Sequence, residues 1–432
     1  MVVATKQLWN QKITANWDTN LALHYTRGRG FYEQFREDDD FETYGFTPIV
    51  VDGEEVNTTD VIRRRWLDND FYGAVFSANY RREKLNLIFG GGWNKYEGAH
   101  FGEIIWARYA SSSEIRDRYY DNDATKTDFN FYNKVNYKLT DKWSLFGDLQ
   151  YRTIGYTANN PETGLVDDTF NFFNPKAGII LDVNKNNNFY LSYAVANREP
   201  NRTDYESGNN KPERLNDFEL GWRYVSEKTQ INTNIYYMQY KDQLVLTGNI
   251  DDVGSYLRAN VPDSYRLGME VDANILLSDI LQITPNIALS TNKIKDFILD
   301  RDGVVQNIGD TNIAFSPTVV AGNIFTFKPS SAINISLLSK YVGEQYLSNT
   351  DTEASKLDAY FTNDLNITYT LKTNSIFKSI VLSGLVNNIL NEEYESNGFT
   401  YLNNWDGPTS FEVQGYYPQA GINFLLGATL NF

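Results

Sequence analysis

The 432-residue sequence contains no cysteine. That excludes disulfide staples, thiolate nucleophiles and cysteine-ligated zinc, and leaves hydrogen-bonded closure as the source of rigidity. Long apolar runs are also missing: Gly178-Ile179-Ile180-Leu181 and Ile275-Leu276-Leu277 are typical of the longest. A membrane-spanning helix needs ~20 apolar residues, so helical insertion is excluded. There is no basic surplus, and a formal net charge of -16 argues against a nucleic-acid partner, whose phosphates call for a basic surface. Histidine is reduced to His24 and His100, each isolated from any Ser and Asp that could complete a catalytic set. No enzyme chemistry and no cofactor or metal site is expected. Residues 1–9 lack a charged n-region, an apolar h-region and a cleavage site, so no secretory signal is visible.

Aromatic residues, by contrast, are abundant: 15% of the chain, with 30 Tyr and 26 Phe, at a mean hydropathy of -0.47. That pairing is unusual for a globular core and ordinary for a β-barrel, whose aromatics gather at both bilayer interfaces. A soluble sandwich or propeller is the composition-level alternative. The C-terminus decides between them. In residues 419–432, read at period two, Ile422, Phe424, Leu426, Ala428, Leu430 and Phe432 share one face, opposite Asn423, Leu425, Gly427, Thr429 and Asn431. One continuous apolar face ending on an aromatic has the form of a transmembrane strand of about 9–11 residues.

The rest of the chain repeats this pattern. Strands are expected over 5–17 and 21–35, then after a polar loop at 36–59 over 62–80 and 85–96. A second long loop is expected at about 97–124. Hairpins follow at 125–139 with 143–153, 169–183 with 189–197, 213–225 with 230–246, and 264–277 with 281–293. Then come 313–327 with 333–347, 357–371 with 376–393, and a closing strand from about 413. Short turns alternate with loops of roughly ten to thirty residues, the asymmetry of outer-membrane barrels. A propeller would show a repeat per blade, and none is found. The fold class expected is therefore all-β, a transmembrane antiparallel β-barrel with about 16–17 strands, forming one domain over 1–432.

Three motifs add a family likeness. Residues 190–202 end a strand in Arg198-Glu199-Pro200, and Lys211-Pro212-Glu213 enters a strand reading Glu219-Leu220-Gly221. Near the C-terminus, Asn387-Asn388-Ile389-Leu390-Asn391-Glu392-Glu393-Tyr394 precedes Tyr417-Pro418-Gln419-Ala420-Gly421. Together, in this order, these resemble a TonB-dependent outer-membrane receptor. The resemblance implies a 22-stranded barrel plugged by an N-terminal domain, so this chain reads as the C-terminal barrel portion, without plug or first strands. It also implies uptake of a scarce nutrient such as a ferric siderophore, cobalamin or glycan in a Gram-negative outer membrane. The TonB complex would be engaged through the missing N-terminal part, and the barrel-assembly machinery through the terminal Phe432. Outer-membrane lipid and lipopolysaccharide complete the expected partners. A self-closing porin-like channel and an outer-membrane barrel enzyme are the alternatives.

For ligand contact, aromatic and basic residues near outward strand ends are the choice: Trp66, Trp93, Tyr96, Trp106, Arg198, Arg202 and Tyr240. An aromatic there can stack on a sugar or catecholate face, and interface girdle is the competing role. Arg63-Arg64-Arg65 could hold lipopolysaccharide phosphates or an anionic substrate, but in a chain of net charge -16 reads more simply as loop-base charge. Glu37-Asp38-Asp39-Asp40 and Asp251-Asp252 lack calcium-ligand spacing and read as solvated loops. Gly90-Gly91-Gly92 has no following helix for a phosphate loop, and marks a position where bulk would strike a neighbouring strand or a lumenal plug.

Overall fold

In a computed structural model, which describes residues 2–160, 164–250, 254–301, 304–373, 376–403 and 411–432, the chain is an antiparallel up-and-down meander. Its contacts divide it into two compact units, residues 1–137 with 147–175, and 138–146 with 176–432. The first unit holds β1 (Val2–Lys12), β2 (Trp17–Asp40), β3 (Thr58–Arg82), β4 (Leu85–Ala107) and β5 (Arg118–Lys138), followed by β6 (Trp143–Asn160) and β7 (Gly164–Asp182), whose inner ends are counted with the second. The second unit continues through β8 (Asn187–Arg198), β9 (Glu213–Val225), β10 (Thr229–Ile250), β11 (Tyr256–Ser278) and β12 (Leu281–Ile294). It ends with β13 (Val319–Ser330), β14 (Ile333–Val342), β15 (Tyr360–Lys372), β16 (Ser379–Asn387) and β17 (Asn423–Asn431). A short helix α1 (Arg202–Glu206) joins β8 to β9. Seventeen long strands are thus present among the described residues, in line with the sequence-based expectation.

Five of the short connections share one local chemistry. Thr14, Thr140, Asn184, Ser226 and Ser330 each stand at a turn entrance. Each side-chain oxygen accepts a backbone N–H two or three residues on: Asn16 and Trp17, Lys142 and Trp143, Asn186 and Asn187, Thr229, and Ala332. Small polar side chains that close on their own backbone are what a tight turn at a water interface requires. One consequence is a shifted first turn: it lies at residues 13–16, fixed by Thr14, and Trp17-Asp18-Thr19-Asn20 already belongs to β2.

Register then assigns each residue to a face. In the terminal hairpin Ile380 opposes Leu430, Leu382 opposes Ala428, Gly384 opposes Leu426 and Val386 opposes Phe424. Across β15 the same face carries Tyr369, Ile367 and Leu365. The apolar face read at the C-terminus is therefore one edge of a continuous apolar band. On the opposite face, small and bulky residues interlock. A Cβ at Gly221 would fall on the Tyr190 ring, one at Gly268 on Tyr236 and one at Gly90 on Tyr132, each its cross-strand partner. A Cβ at Gly91 would crowd the Asn130 carbonyl, so the glycine run answers to its neighbouring strand. Every residue of β17 is exposed, because β16 is its only strand partner among the described residues.

Several strands outrun their predicted ends. β4 continues to Ala107 and β5 begins at Arg118, leaving residues 108–117 as the loop where 97–124 was expected. Glu97, His100, Glu103 and three small residues interrupt the alternation there, so the regular apolar period stops while backbone pairing goes on. At the other end of the chain, residues 411–418 form an outer hairpin with Glu395–Asn403, and the closing strand starts only at Asn423.

Candidate ligand-binding mouth

In the first unit, the apolar face ends at a row of aromatics. Tyr25 opposes Tyr72, and Trp93 meets Tyr72 edge-on at 5.9 Å. The Tyr25 hydroxyl donates to Asp70 (2.6 Å) and that of Tyr72 to Glu97 (2.9 Å). Rings in lipid with hydroxyls tied to carboxylates just beyond are what an interfacial girdle looks like. Beyond this row β2, β3, β4 and β5 continue outward, and the sheet's inward face there carries one cross-strand rung: Tyr32, Arg65, Gly102 and Tyr120. The Arg65 guanidinium lies 6.0 Å from the Tyr32 ring and 5.9 Å from the Tyr120 ring, and its Nε donates to the Tyr120 hydroxyl (3.4 Å). Gly102 makes the arrangement possible, since a Cβ there would fall on the rings of Tyr119 and Tyr120.

A second arginine braces this rung. Arg63, only 7% exposed, donates through Nε (3.2 Å) and Nη2 (3.0 Å) to Gln34 Oε1 and through Nη1 to the Tyr44 hydroxyl (3.4 Å). Tyr44 belongs to a one-turn helical segment, Phe41–Tyr44, whose Phe41 and Tyr44 pack with Phe46, Val61 and Ile104 into a small core. Its hydroxyl in turn donates to Asp39 (2.6 Å). Burial, then that bond to Asp39, raises the Tyr44 phenol well above its ordinary range. Tyr119 meets Tyr44 edge-on at 5.0 Å, and its buried hydroxyl has no hydrogen-bond partner in the protein. Burial pushes Tyr119 up to about 12, against the pull of Arg63. Arg63, Tyr44 and Tyr119 thus form a buried brace, and Arg65 between Tyr32 and Tyr120 is the part left accessible, suited to a planar, oxygen-rich anion.

The sequence-chosen residues do not converge there. Trp66 opposes Phe31 and Phe101, and Trp93 opposes Ala74 and Phe129, all on the outward face. Trp106 opposes Ile62 beyond them and is 45% exposed. Tyr96 alone of the four faces inward, its hydroxyl 3.2 Å from His100 Nε2. Choosing by residue type ignored parity, the property that sorts a strand. Parity likewise divides the arginine triplet, which lies within β3 and not at a loop base. Arg63 and Arg65 point inward, while Arg64 points outward to Glu33 (2.8 Å). The acidic run 37–40 closes β2: Asp38 accepts from Thr58 (2.6 Å) and Asp39 from Tyr44. Asp251 and Asp252 lie outside the described residues.

In the second unit, the remaining residues serve the scaffold. Arg198 donates to Glu213 (3.0 Å) and to the Leu244 carbonyl (3.4 Å), while Glu213 also accepts the Leu244 N–H (3.0 Å). The two ends of the Arg-x-Pro to Lys-Pro-Glu segment, around Pro200 and Pro212, are thereby tied to β10. Lys211 reaches Asp242 (3.6 Å). Arg202 pairs with Glu206 one turn along α1 (2.6 Å). Ser192 donates to Glu219 (3.2 Å), and the Tyr240 hydroxyl points at the Met238 sulfur (3.7 Å).

The asparagine motif near the C-terminus is a backbone clamp. Asn388, 4% exposed with φ +49°, donates from Nδ2 to the carbonyls of Glu392 (2.9 Å) and Ala420 (3.3 Å). Its Oδ1 accepts the Glu392 N–H, and its own N–H goes to Asp364. Asn391 accepts the Ile422 N–H (2.9 Å), Asn387 donates to Asn423 (2.8 Å), and Tyr394 stacks on Tyr360 at 4.4 Å. Amide side chains tolerate left-handed backbone and can donate and accept at once, which explains their spacing. Phe432, 72% exposed, meets Phe377 at 4.9 Å.

An antiparallel meander with short turns at one end, longer loops at the other, one apolar face and one polar face defines an outer-membrane β-barrel protein. The chain belongs to the TonB-dependent receptor-like β-barrel family, whose model matches residues 4–389. Among solved structures it is similar to the siderophore receptor PiuA from Acinetobacter baumannii, with 15% identity and a TM-score of 0.67, over 98% of this chain and 63% of that one. It is also similar to the ferric yersiniabactin uptake receptor FyuA from Yersinia pestis, with 14% identity and a TM-score of 0.65, over 100% and 61%. The copper transporter OprC matches at 15% identity and a TM-score of 0.71, over 99% and 64%. The chain thus spans under two thirds of the length of these structures. No curated protein sequence matches it. The family consists of transport receptors, not enzymes, and resides in the outer membrane of Gram-negative bacteria.

Proposed function

We propose that the chain is the barrel part of a receptor that takes up a ferric siderophore, in preference to cobalamin or a glycan. The inward rung of Arg65 between Tyr32 and Tyr120 carries this reading. A ferric chelate offers planar anionic oxygen ligands, and a guanidinium flanked by two rings can hydrogen-bond such a group while the rings stack on it. Siderophore and ferric-chelate receptors among the structural neighbours point the same way. Release inward would be driven by the TonB complex, engaged through the part of the family's length that this chain does not span. The barrel-assembly machinery, in this reading, recognises β17 and Phe432.

Equilibrium quenching of tryptophan fluorescence in detergent tests the ligand class. Ferric tris-catecholate or ferric citrate should bind in the micromolar range or tighter, and cobalamin should not. Binding of cobalamin or a neutral oligosaccharide in place of both ferric chelates would refute the siderophore reading.

A further inference from the structure

The sequence holds a single Asn-Gly pair, Asn397-Gly398, and ligand uptake gives it no role. It lies in the long loop before β17, in the outer strand Glu395–Asn403. Pairing with residues 411–418 slips there: Glu395 opposes Pro418 and Gly398 opposes Tyr416, so Ser396 and Asn397 together face only Tyr417. A bulge of this kind releases its extra residue from the ladder. The Asn397 side chain turns back on its own backbone. Its Oδ1 accepts the Gly398 N–H (2.9 Å) and the Tyr256 hydroxyl (2.8 Å), so both its lone pairs are engaged by donors.

The surroundings hold these groups in place. Tyr256 opens β11 and packs edge-on against Phe315 at 5.4 Å. Its hydroxyl also lies 2.9 Å from the Gly398 carbonyl, so one phenol engages both residues of the pair. Burial, then Tyr417, raises this phenol above its ordinary range, and the hydroxyl stays a donor. Gly398 is buried, and a Cβ there would fall 2.6 Å from the Gly415 carbonyl. Glycine suits that space, and with no Cβ it leaves its own nitrogen open to the preceding side chain.

Those positions favour ring closure, because an intramolecular approach removes much of the entropic cost of attack. Solvent hydroxide takes the Gly398 amide proton, and the nitrogen bonds to Asn397 Cγ. Negative charge grows on Oδ1, where the Tyr256 hydroxyl already donates, as in an oxyanion hole. The Cγ–Nδ2 bond then breaks, and Nδ2 takes a proton from water and leaves as ammonia. The product is a five-membered succinimide. Water opens it at either carbonyl, giving an aspartyl residue at position 397 or an isoaspartyl link whose backbone runs through Cβ. One water is consumed, one ammonia is released, and no electrons are exchanged. Either product places a negative charge beside Tyr256, and the isoaspartyl form lengthens the hairpin backbone by one carbon.

We propose that Asn397 is a self-modifying site, where the Tyr256 hydroxyl and the Gly398 nitrogen promote succinimide formation in the outer hairpin. The full chain in detergent is incubated in warm neutral buffer made with heavy-oxygen water. Peptide mass spectrometry with electron-transfer fragmentation then reads aspartyl and isoaspartyl product at each asparagine. Label should enter at 397 ahead of every other asparagine, and at least as fast in the folded chain as in the same chain unfolded in urea. Tyr256→Phe should slow folded conversion about tenfold, less than the ~100-fold loss of an enzyme's oxyanion donor because this site is wetter, and should leave the urea rate unchanged. Folded conversion slower than in urea would overturn the proposal, since the hairpin would then protect the pair. A Tyr256→Phe rate equal to wild type would overturn it too. The urea comparison needs no variant, so it decides the matter even where Tyr256→Phe fails to fold.

Discussion

Tyr32 and Phe31 are neighbours in the chain, as are Arg65 and Trp66, and Gly102 and Phe101, yet the two rungs they form are chemically unlike. The inward rung is an arginine between two tyrosines, backed by a buried Arg63 and an unpartnered phenol. The outward rung is three aromatics bordered by arginines whose charges are all matched. The backbone is the same and the height is the same. What differs is the medium each face meets, because a strand turns successive side chains to opposite sides. The inward rung keeps hydrogen-bonding capacity for something that arrives, and the outward rung keeps flat apolar area for something that is always there.

That contrast can be broken in several places. The largest effect belongs in the terminal hairpin, where the same division lies within lipid. Leu382→Arg should cost roughly 2–4 kcal/mol, the range for a cation near the bilayer midplane, while Ser383→Arg on the other face should cost far less. Urea titration in liposomes compares them, and equal costs would mean the faces are wrongly assigned. Next, Arg65→Ala should weaken ferric-chelate binding about 10- to 100-fold, the worth of a charge-assisted hydrogen bond, and Arg64→Ala should change it by under ~2-fold. Fluorescence titration reads both. Gly102→Val, which displaces Tyr119 and Tyr120, should cost about tenfold in binding without unfolding the sheet, since the crowded atoms are ring edges on movable side chains.

The smallest effect concerns Tyr119. Its hydroxyl is buried without a partner, so Tyr119→Phe should be neutral or stabilising by less than ~1 kcal/mol at neutral pH. The folded phenol titrates near 12, above its ordinary value, so folding favours the protonated ring. Its contribution is complete below about pH 10 and is lost as pH rises from there through 12. Between those values the wild type should lose stability faster than the phenylalanine variant, as denaturant midpoints at about pH 9 and pH 11 would reveal.

Much of this was legible from the amino acids alone. Alternation in Ile422–Phe432 and along the earlier hairpins, with short turns exchanging with longer loops, was enough to lay out the meander. The residues that fill the mouth were harder to see. Apolar periodicity disappears where a strand leaves lipid, so β4 and β5 looked like loops over the very residues, Gly102 and Tyr120, that build the inward rung. Trp66, Trp93 and Trp106 were picked for being aromatic, and register turned them outward. Arg65 was passed over because Arg63-Arg64-Arg65 looked like loop-base charge in an acidic chain, when the triplet lies within a strand whose alternation divides it between two faces. Asn388 and Asn391 were read as a family signature, and only backbone geometry reveals them as a clamp.

Since the chain has no native cysteine, the division into two faces can be measured residue by residue. Single cysteines introduced in turn from Ile380 to Val386 in β16, spin-labelled in liposomes, report whether each site collides with oxygen dissolved in lipid or with a water-soluble nickel chelate. Oxygen contact should peak at 380, 382, 384 and 386, and nickel contact at 381, 383 and 385. A pattern without alternation, or one displaced by a single residue, would contradict the assignment of the apolar face to lipid, and with it the separation of the inward mouth from the outward rung.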